Sequence, residues 1–182
     1  MSERVILSRR RILQAGVGAT FGSLVSPMAQ AVVLPSPRLL SFENLHTGER
    51  LQATYWADGR YDQATCQRVD WLLRDHRAAV AAPISTALLD LLNALRQRLG
   101  TEAPFQVISG YRAPVTNARL SSASSGVASN SLHMKGMAID IRVPGCQLIA
   151  LRETAVALKA GGVGYYPKSN FVHVDVGRVR YW

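Results

Sequence analysis

The ten residues SLHMKGMAID, positions 131–140, place a histidine and an aspartate seven positions apart with glycine and alanine between them. The chain of 182 residues contains only four histidines. Imidazole and carboxylate are two of the three ligand types that zinc accepts readily, so His133 and Asp140 are candidate metal ligands. A surface histidine followed by a helix-capping aspartate would give the same spacing, and the rest of the chain is needed to choose between the two interpretations.

A second segment, FVHVDVG at residues 171–177, alternates apolar and polar side chains. Because successive side chains of a strand point to opposite faces, its three valines would be buried while His173 and Asp175 share the other face. Asp140 is placed in the same way between two isoleucines in a strand predicted over 138–143. Two strands are therefore predicted to present one polar face, which the first histidine approaches from a loop.

The rest of the chain has a mixed helix and strand pattern. Residues 38–56 predict two strands joined by a turn at Thr47 and Gly48, and amphipathic stretches predict helices over 63–77 and 86–99. Further elements are predicted as a strand over 105–109, a polar loop over 116–130 and a third helix over 148–159. Strands late in the chain with helices ahead of them favour the α+β class, with a small, largely antiparallel sheet and helices packed on it.

The first 31 residues have the layout of an export signal. A basic start leads into SRRRIL at residues 8–13, then into an uncharged stretch and the small-x-small sequence AQA at 29–31. The arginine pair Arg9 and Arg10 resembles the bacterial twin-arginine signal. Glycine, serine and proline dilute the uncharged run too much for a membrane-spanning helix of about 20 residues. We predict a twin-arginine signal peptide over 1–31, one domain over 32–182 and no stable membrane anchor.

The chain is basic, with a net charge of +9. Removal of residues 1–31 takes away four arginines and one glutamate, which leaves 17 basic and 11 acidic residues and a net charge of +6. Nucleic acid is a common partner of such a charge, but the arginines are scattered singly and an exported protein rarely meets DNA. We expect no nucleic acid partner. An acidic polymer of the cell envelope fits better, and a charge that only maintains solubility is the alternative.

Cys66 and Cys146 are the two cysteines of the chain. They could form one disulfide in an oxidising compartment. The twin-arginine route exports proteins that have already folded in the reducing cytosol, so we expect both thiols to remain unpaired. Neither cysteine has the spacing of a thiolate zinc site.

The pattern Ser131-x-His133-x-x-Gly136-x-Ala138-x-Asp140 matches in full the S-x-H-x-x-G-x-A-x-D motif of the LAS zinc peptidases. This family is named after lysostaphin, D-alanyl-D-alanine carboxypeptidase and sonic hedgehog. SGYR at 109–112 and GGVGYYPKSNFVHVD at 161–175 extend the resemblance to murein endopeptidases of Gram-negative bacteria, over essentially the whole chain. The resemblance implies the LAS fold for residues 32–182.

The resemblance further implies that His133, Asp140 and His173 bind Zn²⁺ and leave the fourth position for water. Two imidazoles and one carboxylate are typical of a catalytic rather than a structural zinc. Such a zinc lowers the pKa of its water to about 7 and polarises the scissile carbonyl. Arg112, in SGYR, matches the arginine that related dipeptidases direct at the tetrahedral oxyanion, a contribution of ~3 kcal/mol.

The general base is where the sequence departs from its relatives. Many members have a glutamate three residues before the last ligand or a histidine two before it, and here those positions are Asn170 and Phe171. Asp175 is the remaining candidate. It could accept a proton from the zinc water, orient a ligating imidazole, or exchange roles with His173 and bind the metal itself; we rank these interpretations in that order.

Three further residues are candidate substrate contacts. Ser131 belongs to the motif, and Tyr165 and Tyr166 follow two glycines, where they could form a wall of the substrate groove. Aromatic core packing is the alternative for both tyrosines.

The predicted function is zinc-dependent hydrolysis of a peptide bond in peptidoglycan. The resemblance implies an endopeptidase that cuts cross-links between diaminopimelate residues of neighbouring stem peptides. A carboxypeptidase that trims stem peptides is one alternative, and an inactive, zinc-stabilised wall-binding module is another. The expected partners are murein stem peptides and, during export, the twin-arginine translocase, which would deliver the protein to the periplasm.

Overall fold

A computed structural model of the protein describes residues 36–123 and 126–182, so the predicted signal peptide lies outside the described residues. The strands are β1 (Arg38–Asn44), β2 (Arg50–Ala57), β3 (Arg60–Tyr61), β4 (Phe105–Ser109), β5 (Ala138–Arg142), β6 (Gly162–Tyr166), β7 (Phe171–Asp175) and β8 (Arg180–Tyr181). The helices are α1 (Gln63–Leu72), α2 (Thr86–Leu99), α3 (Pro114–Ala123) and α4 (Leu148–Leu158), and short 3-10 helices span Leu132–Lys135 and Pro167–Ser169.

The eight strands form one sheet in the order β3-β2-β1-β4-β5-β7-β6-β8. The predicted α+β class is confirmed. The prediction of a small sheet was wrong, because the sheet has eight strands. It is also mixed: five of its seven strand pairs are antiparallel, whereas β1 pairs with β4, and β6 with β8, in parallel. Both parallel pairs join segments that are distant in the sequence or very short, and local periodicity does not reveal such pairs.

One helix is shorter than predicted, and another was not predicted. α1 ends at Leu72 rather than at residue 77, because Asp75 accepts hydrogen bonds from the Arg77 and Ala78 backbones and closes a turn there. The polar stretch predicted as a loop contains α3, which begins at Pro114. Proline at the first helical position lacks only an N–H that has no partner there, and it was the missed signal of a helix start.

The central strands separate an apolar face from a polar face, as their alternation predicted. Ile139 and Ile141 of β5 and Val172 and Val174 of β7 are at most 1% exposed and belong to the core. Full burial of each such side chain stabilises the fold by roughly 1.5–3 kcal/mol. α2 contacts β1, and α4 contacts β6 and β7.

Two further features bear on the predicted environment of the protein. Cys66 and Cys146 are free thiols, and burial raises the pKa of each. None of the helices within residues 36–123 and 126–182 combines the length and the hydrophobicity of a membrane-spanning segment.

Candidate metal centre

His133, Asp140 and His173 converge on the polar face of the sheet. Asp140 and His173 are directly paired across β5 and β7. Asp140 Oδ1 lies 2.9 Å from His173 Nδ1 and 3.3 Å from His133 Nε2, and the two imidazole nitrogens are 3.2 Å apart. The three residues are only 3, 6 and 8% exposed, in chain order. The structure therefore brings together the three residues that the sequence predicted as ligands.

The outer nitrogen of each imidazole is occupied by an acceptor. His133 Nδ1 lies 2.7 Å from the Gly110 carbonyl, and His173 Nε2 lies 3.0 Å from Asp175 Oδ2. A carbonyl or an ionised carboxylate can only accept, so each outer nitrogen carries a proton, and the inner nitrogen is the one that can bind a cation.

The resulting cluster fits a bound cation. Two imidazole nitrogens and a carboxylate oxygen face one another at 2.9–3.3 Å, and each of the three atoms can bind a cation. Burial raises the pKa of Asp140, but the neighbouring imidazoles hold it well below its ordinary value, so the carboxylate is ionised. Two imidazoles and one carboxylate form a donor set that zinc uses in catalytic sites.

The remaining motif residues shape the turn that carries His133. Ser131 caps the 3-10 helix, because its hydroxyl accepts a hydrogen bond from the His133 backbone at 3.3 Å. Gly136 ends this helix with φ of 63°, and a Cβ there would collide with the Pro83 carbonyl. Ser131 also lines the cleft described below, and its predicted contact with substrate stays a prediction.

The SGYR segment, residues 109–112, supports the same turn through hydrogen bonds to His133. In addition to the contact of Gly110 with His133, the Arg112 backbone N–H donates to the His133 carbonyl at 3.2 Å. Tyr111 N–H donates to the Leu73 carbonyl at 2.7 Å, and Ala113 N–H donates to Asp75 at 2.9 Å. These backbone bonds explain why the segment is a fixed part of the site.

The Arg112 guanidinium lines the cleft and is held only by long contacts. Its Nη atoms lie 3.7 Å from Asp140 Oδ2, 3.3 Å from Ser109 Oγ and 3.4 Å from Asn117 Oδ1. Its buried Nε has no hydrogen-bond partner within the described part of the chain. Burial lowers the pKa of Arg112, whereas Asp140 and Tyr166 act in the opposite direction. Arg112 therefore retains N–H groups for a ligand in the cleft.

Asp175 is fully buried behind His173, on the side away from Asp140. Its oxygens also accept hydrogen bonds from the Gly162 and Gly177 backbones at 3.0 and 2.8 Å and from Arg180 at 2.7 and 3.2 Å. Burial raises the pKa of Asp175, but the hydrogen bonds from His173, the two backbone groups and Arg180 hold it well below its ordinary value. Of the three roles considered for Asp175, this geometry supports the orientation of His173.

The cleft above the cluster has a volume of about 350 Å³. It is lined by Arg112, Gly126, Val127, Ala128, Asn130, Ser131, Leu132, His133, Asp140, Tyr166, Phe171, His173, Arg180 and Trp182. Tyr166 is thus at the cleft. Tyr165 points to the other face of β6, where it packs against the core and lies 5.8 Å below the Arg152 guanidinium, so its predicted substrate contact has no support in the geometry.

Two residues of the site, Arg180 and Trp182, were missed in the sequence. The Trp182 ring lies 5.3 Å from the His173 ring, and its Nε1 is 2.7 Å from the Tyr166 hydroxyl. Glycine inside a strand marks close approach of another group. Gly164 of β6 is such a residue, since a Cβ there would lie 2.7 Å from the Trp182 ring.

Comparison with known proteins identifies the family. Residues 32–182 match the family model described as peptidoglycan L,D-endopeptidase MepK. The chain is 43% identical over 178 residues to the protein of that name from Escherichia coli strain K12, across 96% of this chain and 97% of the relative. It is 39% identical over 175 residues to the probable peptidoglycan L,D-endopeptidase MepK of Haemophilus influenzae, across 96% and 94%. The chain belongs to the MepK family of LAS-type zinc peptidases, as the motif at residues 131–140 predicted.

Proposed function

We propose that this protein is a murein endopeptidase that hydrolyses peptide cross-links of peptidoglycan with a zinc ion held by His133, Asp140 and His173. The observation that carries the proposal is the convergence of three buried ligand atoms, two imidazole nitrogens and one carboxylate oxygen, at 2.9–3.3 Å in a cleft. The relatives in the family are named as peptidoglycan endopeptidases, which agrees with this reading of the site.

Each residue of the site has a distinct part in the proposed reaction. A zinc ion in this site supplies Lewis acidity and lowers the pKa of a water molecule to about 7. Arg112 donates to the scissile carbonyl oxygen as negative charge develops there, a contribution of ~3 kcal/mol. Asp175 keeps the proton of His173 on Nε2, so that Nδ1 is available for the metal.

The substrate class follows from the relatives and from charge. The names of the relatives specify L,D-endopeptidases, and we propose the cross-link between diaminopimelate residues as the bond that is cut. Arg112 and Arg180 line the cleft, and the predicted domain carries a net charge of +6, which suits an anionic wall polymer. Ser131 and Tyr166 are the proposed substrate contacts.

We also propose that residues 1–31 direct export through the twin-arginine translocase and that the mature protein, residues 32–182, works in the periplasm. The arginine pair at 9–10 and the sequence AQA at 29–31 support this route. The family match begins at residue 32, directly after the predicted cleavage site.

The proposal is tested by metal content and by digestion of purified peptidoglycan sacculi. The exported protein should carry about one zinc per chain, and His133→Ala should abolish stoichiometric binding because it removes one of three donors. His46→Ala, a change outside the cleft, is the control. Mass spectrometry of the products distinguishes a cut cross-link from release of a terminal residue, which would indicate a carboxypeptidase. Full zinc retention in His133→Ala would refute the ligand assignment, and wall binding without cleavage would indicate a binding module.

A further inference from the structure

We propose that the Tyr166 hydroxyl donates a hydrogen bond to the scissile carbonyl oxygen in the transition state, and that Trp182 fixes the hydroxyl in this orientation. The inference rests on the proposed function. It assigns a second oxyanion donor, beside Arg112, and a positioning residue that orients this donor.

The donor direction follows from the contact between the two side chains. Trp182 Nε1 lies 2.7 Å from the Tyr166 oxygen. An indole N–H can only donate, so the Tyr166 oxygen accepts this bond and its own proton must point elsewhere. Among residues 36–123 and 126–182, no group accepts that proton. The hydroxyl therefore carries an uncommitted donor at the wall of the cleft.

The Tyr166 ring is held rigidly enough for a defined hydrogen bond. It pairs across the hairpin with Phe171, and the two rings stack at 4.6 Å with an interplanar angle of 21°. Electrostatic stabilisation by a donor is large only when the donor is already in place before charge develops. Stacking on Phe171 and the hydrogen bond from the Trp182 indole meet this requirement.

Trp182 is itself fixed at the edge of β6, although 47% of its surface is exposed. Its backbone N–H donates to the Val163 carbonyl at 3.2 Å, and its backbone carbonyl accepts from the Tyr165 N–H at 3.0 Å. The Arg180 guanidinium lies 4.9 Å from the ring centre, and the ring covers Gly164. An exposed indole that uses its only polar atom on a cleft tyrosine is suited to positioning that tyrosine.

Tyr166 is also near the other groups of the site. Trp182, its partner, is 5.3 Å from the ring of His173, one of the proposed ligands. Tyr166 and Arg112 line the same cleft, together with His133, Asp140 and His173. A cationic donor and a neutral donor thus serve the same cleft.

The test compares Tyr166→Phe, Trp182→Phe and the double variant of the exported protein on a purified cross-linked muropeptide. Tyr166→Phe should lower kcat by about 100-fold, the usual effect of losing one oxyanion donor, with KM near the wild-type value. Trp182→Phe keeps an aromatic ring but no N–H, so kcat should fall by a smaller factor. The double variant should be no worse than Tyr166→Phe, because Trp182 acts through Tyr166.

Two readouts separate this role from a general loss of structure. Zinc content should stay at one per chain in every variant. A phosphinate peptide, whose oxygens mimic the tetrahedral intermediate, should bind Tyr166→Phe more weakly than wild type by a factor similar to the loss of kcat, while product peptide binds both equally. Tyr181→Phe is the matched control, because the Tyr181 hydroxyl donates to the Val156 carbonyl at 3.4 Å, outside the cleft.

Several results would overturn the proposal. Wild-type kcat in Tyr166→Phe would show that the hydroxyl is not a donor in the transition state, and a raised KM with unchanged kcat would show ground-state binding alone. Multiplicative losses in the double variant would show that Trp182 acts independently. Wild-type protein that cuts no muropeptide would refute the proposed function, and the inference would fall with it. An active wild type, with loss of kcat confined to the Tyr166 and Trp182 variants, would support the inference.

Discussion

The two histidines of the cluster have different supporting groups, and only the group that supports His173 can be removed by a side-chain substitution. His133 donates to a backbone carbonyl, that of Gly110, whereas His173 donates to the side chain of Asp175. Asp175 in turn has four other hydrogen bonds, from two backbone groups and Arg180. A change at position 175 therefore tests how much the orientation of an imidazole contributes to metal affinity.

We expect Asp175→Asn to lower zinc affinity by about 10- to 100-fold, since the amide no longer holds the imidazole proton on Nε2. Activity should fall at limiting zinc and recover at least in part when zinc is in excess. Zinc titration and a muropeptide assay at two zinc concentrations measure both effects. Asp58→Asn, at an exposed position with φ of 51° that asparagine tolerates, is the control. Unchanged zinc affinity with a ~100-fold slower turnover would instead indicate that Asp175 is the general base.

Single residues were predictable from the sequence where a local pattern carries them. The spacing of His133 and Asp140 and the alternation around His173 indicated the residues that converge in the structure. Arg180 and Trp182 carry no comparable local pattern, because they reach the site only through the parallel pairing of β8 with β6. Their contribution depends on tertiary contacts. In the sequence, the glycines of β6 were the remaining indication that other side chains approach this strand closely.

Strand β6 shows how one element serves two parts of the site. Its sequence, GVGYY, puts Gly162 and Gly164 on the face that carries Tyr166. A Cβ on Gly162 would meet Arg180 Nη1 at 2.6 Å and would also press on Asp175, whereas a Cβ on Gly164 would meet the Trp182 ring at 2.7–2.8 Å. The two glycines therefore accommodate different support groups of the same cleft.

Alanine at each of these glycines should consequently produce a different defect. Gly164→Ala should displace the indole and lower kcat while zinc remains bound, because Tyr166 loses its Trp182 contact. Gly162→Ala should lower zinc affinity, because it disturbs the Asp175 and Arg180 pair behind His173. Each variant is examined by zinc titration, by muropeptide turnover and by circular dichroism for the fold. Identical effects of the two substitutions would contradict this division of β6.

Elements with a strong local signal were predicted well. The leucines of α2 and the hairpin of β1 and β2 have the periodicity of their structures, and α2 ends at Leu99 as predicted, with Gly100 after it in the left-handed conformation. β6 was missed because glycine has low strand propensity, and β8 because two residues have no period. α3 was missed because its serines and asparagine resemble a loop, although Thr116 and Asn117 are buried.

At the scale of the whole molecule, Asp90 of α2 connects the far edge of the sheet to the helix. It accepts hydrogen bonds from Arg38 at 2.5 Å, Tyr55 at 2.8 Å and Tyr61 at 2.7 Å, one residue from each of β1, β2 and β3. Burial raises the pKa of Asp90, but these three hydrogen bonds lower it below its ordinary value. The ionised form therefore favours the folded state.

The expected consequence is a loss of stability in acid. Because the folded pKa of Asp90 is lowered, its contribution is complete above the unfolded pKa of about 4 and is lost as the pH falls through the folded value. Asp90→Asn should reduce the free energy of unfolding at pH 7 and make it less dependent on pH below about 4. Urea unfolding of both proteins at pH 7 and pH 3 measures this. Equal slopes of stability against pH would show that Asp90 has no such role.

The proposed export concerns the whole chain, because the twin-arginine translocase carries proteins that have already folded. On this route the cluster of His133, Asp140 and His173 would form before the protein leaves the cytosol, and Cys66 and Cys146 would already be folded as free thiols. Changing Arg9 and Arg10 together to lysine keeps the charge but removes the guanidinium pair that the translocase recognises. We expect the precursor to accumulate in the cytoplasm, as measured by fractionation, whereas Arg4→Lys should export normally. An unchanged periplasmic yield of the double variant would indicate the general secretory route, in which the chain folds and binds its metal only after crossing the membrane.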